Sequence, residues 1–160
     1  MGVSHWLLFA LIMGLGLLIG AGIYEARVIV PLWVDGAPES TVDFHNPPMR
    51  INAGKRFWIG ITPVVGLIAV ANTWFAYESL SVNSAREWWL YSSALTTGVI
   101  VVTFVYFVPV LISLSRAAQM NQRKLVSRVR IWSALNWVRA MLLMLAWFGA
   151  VQALYMGAVA

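Results

Sequence analysis

Cysteine is absent from this chain, and histidine occurs only twice, as His5 and His45. The first absence excludes disulfides, thiolate metal ligation and thiol chemistry. The second excludes a three-histidine metal centre. No Ser-His-Asp arrangement, phosphate loop or dinucleotide fingerprint is found. Charge is also scarce, at 11% of 160 residues, against about 25% in a soluble globular domain. Such a chain lacks the polar surface to cover itself in water. What is present is apolar: 61% of residues are hydrophobic and the mean hydropathy is +0.77. Membrane is therefore the expected environment. Met1–His5 lacks the basic start of a cleavable signal, and Trp6 stands where a myristoylation signal needs Ser or Thr, so neither processing event is expected.

Four apolar segments each reach the roughly 20 residues that a helix needs to cross a bilayer. They run over 6–30, 57–77, 88–114 and 131–155. The expected fold is an all-α integral membrane four-helix bundle, one transmembrane domain over 1–160. Aromatic residues near the segment ends (Trp6, Trp33, Trp58, Trp74, Tyr77, Trp88, Tyr155) fit interfacial belts. Loop 34–56 holds Arg50, Lys55 and Arg56, and loop 115–130 holds Arg116, Arg123, Lys124, Arg128 and Arg130. The opposite side holds only Arg86. The bias predicts that both loops are cytoplasmic and both termini are not, as in a bacterial inner-membrane protein. It also accounts for the net charge of +5 without a nucleic-acid partner.

The first segment carries Gly14, Gly16, Gly20 and Gly22, a composition suited to close helix packing within the bundle or, through Gly14, Gly16 and Gly20, between copies of the chain. Loop 34–56 is short enough to lie across the cytoplasmic mouth as a cap, with 50–54 as a short interfacial helix. Polar stripes follow at helical spacing: Trp58, Thr62, Val65, Ala69 and Asn72; Thr96, Thr103, Tyr106 and Val110; Trp132, Asn136, Arg139 and Leu143. Lipid cannot satisfy these groups, so each stripe turns inward. Arg56-Phe57-Trp58…Thr62 also echoes Arg130-Ile131-Trp132…Asn136, as two tandem helical hairpins would.

Topology restricts which polar residues can meet. Glu25, Trp58, Thr62, Tyr106, Trp132, Asn136 and Arg139 fall in the cytoplasmic half, with His45 joining them if its loop folds back. A charge at Arg139 needs a partner at membrane depth, and Glu25 is the natural one. The cluster is open to two readings: a polar lock on helix register, or a small aromatic-walled pocket for a hydrophobic molecule. The two histidines lie on opposite faces, so no metal site is expected, and haem held by His45 alone is the one cofactor alternative.

The residues that carry a family resemblance are Gly22 through Pro31-Leu32-Trp33, Phe57-Trp58 with Thr62-Pro63, Thr103 with Tyr106-Phe107-Val108-Pro109, and Trp132 with Leu135-Asn136-Trp137-Val138-Arg139. In these the chain resembles the small four-helix integral membrane family that includes the fungal anthrone oxygenases. The resemblance implies a cofactor-independent oxygenase acting on an anthrone- or quinol-like aromatic. In that case Glu25 or His45 would abstract a proton, Asn136 and Arg139 would stabilise the resulting enolate, and Trp58, Thr62, Thr103, Tyr106 and Trp132 would hold the ring. The competing expectation is non-catalytic: an accessory membrane subunit or a small-molecule binder.

Overall fold

The computed structural model describes residues 2–31, 51–79, 84–115 and 122–159. His45, Trp33, Arg50 and most of the expected capping loop lie outside the described residues. Four helical rods follow one another. Helix α1 runs Val3–Tyr24 and continues through a π-helical turn, Glu25–Ile29. Helix α2 runs Ile51–Glu78. Helix α3 runs Ser84–Val102, passes through a second π turn, Thr103–Phe107, and resumes as Val108–Ser115. Helix α4 runs Gln122–Val159 without a break. Each rod is long and apolar enough to cross a membrane. Successive helices pack side by side and α4 closes the ring against α1, giving an up-down-up-down membrane four-helix bundle.

The helices extend beyond the apolar segments at the basic end. Residues 51–56, expected in a loop, are the first turns of α2 rather than a separate interfacial helix. Residues 122–130, also expected in a loop, open α4. Hydropathy marks where a helix leaves hydrocarbon, and charged residues can continue its backbone ladder into the headgroups. At 38 residues, α4 is about 57 Å long, nearly twice the roughly 30 Å hydrocarbon layer. Its projecting turns carry Lys124, Arg128 and Arg130 on the exposed side, while Leu125, Val126 and Val129 are buried with Val30, Phe107, Leu114 and Trp132 in a second core.

The main core holds Leu11, Leu15, Val65, Ala69, Ile100, Leu143 and Ala146, while Ile59, Leu67, Val105 and Leu145 are turned outward. Small residues bring α3 and α4 together, with the Ser92 hydroxyl donating to the Ala146 carbonyl at 2.6 Å. Glycine serves one close approach directly. A Cβ on Gly14 would lie 2.9 Å from Val65 Cγ2. Gly14 is thus buried in the bundle and is not part of an outward oligomer face, whereas Gly16 and Gly20 are exposed with nothing within 4 Å of an added Cβ. Gly14→Ala is expected to lower stability by about 1–3 kcal/mol, and Val65→Ala in the same chain should restore most of it. Melting both variants in detergent checks this, and a silent Gly14→Ala would refute the close contact.

The two π turns share a local cause. Each is followed at once by Val-Pro: Val30-Pro31 after Glu25–Ile29 and Val108-Pro109 after Thr103–Phe107. Proline has no N–H to donate and its ring crowds the carbonyl four residues earlier. Those carbonyls belong to Arg27 and Val105, inside the widened turns. Val30 N–H instead reaches Glu25 O, and Val108 N–H reaches Thr103 O. The tandem-hairpin echo therefore extends to the backbone, because the first helix of each hairpin carries the same irregularity before the same dipeptide.

Candidate substrate site

Two groups of polar residues lie in the bundle, one at each end, and they differ in how completely they are satisfied. At the end holding the chain termini, Asn72 is fully buried and fully used. Its Nδ2 donates to Leu7 O at 3.0 Å and Ile68 O at 2.8 Å, and its Oδ1 accepts from Trp89 Nε1 at 2.8 Å. Thus α1, α2 and α3 are tied by one amide. Arg86 donates to Ala76 O and Tyr77 O, both at 2.8 Å, closing the last turn of α2. These contacts fix the helices in register.

At the basic end all four helices contribute. From α1 comes Glu25, first residue of its π turn; from α2, Gly54 and Trp58; from α3, Phe107; from α4, Trp132, Asn136 and Arg139. The Glu25 carboxylate and the Arg139 guanidinium attract each other, and the Trp58 side chain lies beside Glu25. Glu25 and Arg139 are thus near enough to feel each other's charge, while Arg27, two residues on, is exposed. Arg139 Cζ lies 5.0 Å from the Phe107 ring centroid and 5.7 Å from that of Trp58. Both are cation–π distances. Phe107 is itself held by Trp132, whose Nε1 donates to Phe107 O at 3.4 Å and whose ring meets it edge-on at 6.3 Å. A Cβ on Gly54 would come within 3.4 Å of Glu25 Oε1 and 3.5 Å of Trp58 Cδ1, so a larger residue there would press on both.

The structure brings Trp58, Thr62, Thr103, Trp132, Asn136 and Arg139 to inward-facing, buried or half-buried positions, as their spacing predicts. Thr103 donates its hydroxyl to Val99 O at 2.8 Å. Tyr106 is the correction. It is 39% exposed, and Phe107, at 6%, takes the inward place. A regular 3.6-residue period selects position 106 from Thr103, but the π turn inserts a residue's worth of backbone and hands the inward direction to 107. The signal for this was the Val-Pro pair, which marks both π turns.

Asn136 is 2% exposed, and its Oδ1 has no hydrogen-bond partner among the described residues. The two buried asparagines should therefore respond oppositely to leucine. Asn72→Leu strands an indole N–H and is expected to cost about 1–3 kcal/mol. Asn136→Leu removes an unpaired acceptor and is expected to be neutral or stabilising. Paired thermal melts decide it: equal losses would mean that Asn136 is as structural as Asn72.

No group of three or more metal-ligating side chains occurs among the described residues. Compared with known proteins, the chain matches no curated protein and no solved structure. The family model described as anthrone oxygenase matches residues 52–149, which span α2, α3 and most of α4. That stretch holds Trp58, Thr62, Thr103, Phe107, Trp132, Asn136 and Arg139, leaving Glu25 and His45 outside it. The match covers well over half of the chain, which therefore belongs to the anthrone oxygenase family.

Proposed function

We propose that the protein is a membrane-embedded, cofactor-independent oxygenase for a hydrophobic aromatic molecule of the anthrone or quinol type. The observation that carries the reading is the pair of opposite charges, Glu25 and Arg139, inside an apolar bundle, with the guanidinium over the Trp58 and Phe107 rings. Charges at membrane depth are costly to keep and mark functional sites by default.

The chemistry asked of them is modest. A methylene flanked by aromatic rings and conjugated to a ketone loses a proton to Glu25. The electron pair left behind spreads onto the ketone oxygen, where Arg139 offsets the developing charge. The carbanion supplies its electrons to dioxygen, a C–O bond forms, and loss of water leaves a new carbonyl. Overall one methylene and one dioxygen give one ketone and one water. His45 is retained as the alternative base.

The test is oxygen uptake and product mass with anthrone, in membranes carrying the protein against membranes without it. Uptake no faster than the spontaneous rate would sink the proposal. A second reading, an accessory subunit, is favoured by one feature: the exposed Gly16 and Gly20 offer another helix a close approach. It predicts that Gly16→Leu changes the assembly state in detergent.

A further inference from the structure

We infer that Asn136 selects the hydroxylated form of the aromatic ligand, its Oδ1 accepting the hydrogen bond of a phenolic O–H. The inference rests on the proposed aromatic site and names the functional group that this site recognises. Its basis is the unpartnered Asn136 Oδ1, which is almost wholly buried. An acceptor in that position forfeits its hydration and receives nothing for it from the described residues.

Other donors described at this end of the bundle are engaged elsewhere. The indole N–H of Trp132 serves Phe107 O, and the Trp58 side chain lies beside the Glu25 carboxylate. The Thr103 hydroxyl donates to Val99 O. The Arg139 guanidinium, one turn along α4, is engaged by Glu25 and two aromatic faces. No described residue donates to Oδ1, and a ligand can bring the donor. A molecule that fits has a flat apolar body for Trp58 and Phe107 and an O–H at its edge for Asn136. An ether or a quinone of the same shape brings only acceptors and leaves Oδ1 unpaired. Sites built around such a bond discriminate strongly against the analogue that lacks it.

The experiment compares three probes of similar shape, naphthol, its methyl ether and naphthoquinone, by equilibrium dialysis against the full chain in nanodiscs, with empty nanodiscs subtracted. The expected result is naphthol binding at least tenfold tighter than either analogue. Asn136→Leu should bring the three within about twofold by weakening naphthol alone. Equal binding of naphthol and its ether, or tighter binding of the quinone, overturns selection by Asn136 and leaves the aromatic site standing. Binding of none of the three overturns the aromatic site and the inference with it. Should the leucine variant fail to fold, the comparison on the unaltered protein decides alone.

Discussion

Arg139→Leu is expected to lower the stability of the bundle by about 3–5 kcal/mol, and Glu25→Leu in the same chain to recover most of that loss. The single change leaves the Glu25 carboxylate in the bundle without the opposite charge that Arg139 supplies. The double change removes both charges and leaves apolar side chains in their place, which is often neutral or better. A residual deficit of about 1–2 kcal/mol should persist, because the Phe107 and Trp58 rings lose the guanidinium they face. Thermal melts of the four proteins in one detergent complete the cycle. Strict additivity, with the double variant as weak as the two losses summed, would show that the charges do not depend on one another.

Glu25→Gln is expected to reduce turnover of an anthrone-type substrate by about 10²–10⁴-fold, with little change in substrate binding. The amide keeps a carbonyl acceptor and nearly the same volume, so the packing beside Trp58 is retained while the proton acceptor is lost. The effect should fall on kcat with KM nearly constant, as for a group that acts only in the transition state. Gly54→Val provides a contrasting variant. It pushes on Glu25 and Trp58 without altering their chemistry, and is expected to raise KM first. A Glu25→Gln protein that turns over at the normal rate would transfer the base to another residue, with His45 tested next.

Much of the site was legible in the sequence because hydrocarbon is an unforgiving solvent. Trp58, Thr62, Asn72, Trp132, Asn136 and Arg139 could be assigned inward positions from helical spacing alone, since no outward position would satisfy them. The partnership of Glu25 with Arg139 followed from topology, because α1 ends where α4 begins its crossing. Two features were not legible. The starts of α2 and α4 lie among charged residues, where composition reads as loop although backbone hydrogen bonding continues. The exchange of Phe107 for Tyr106 depends on the π turn, and a fixed 3.6-residue period has no means of expressing an extra residue.

The repeated π turn followed by Val-Pro has a consequence for how a single chain divides labour between its halves. Matching the turns sets Glu25 opposite Thr103, and matching the tryptophans of α2 and α4 sets Val65 opposite Arg139 and Thr62 opposite Asn136. Each half therefore contributes one member of the charged pair and an uncharged residue at the counterpart of the other. A dimer of identical hairpins could not do this. With both charges in each copy it would contain two pairs, and with one charge in each it would set like against like. Two unlike hairpins in one polypeptide permit a lopsided interior, with a carboxylate from one and a guanidinium from the other. A molecule lying between them has an acidic side and a basic side, and so only one way round to bind.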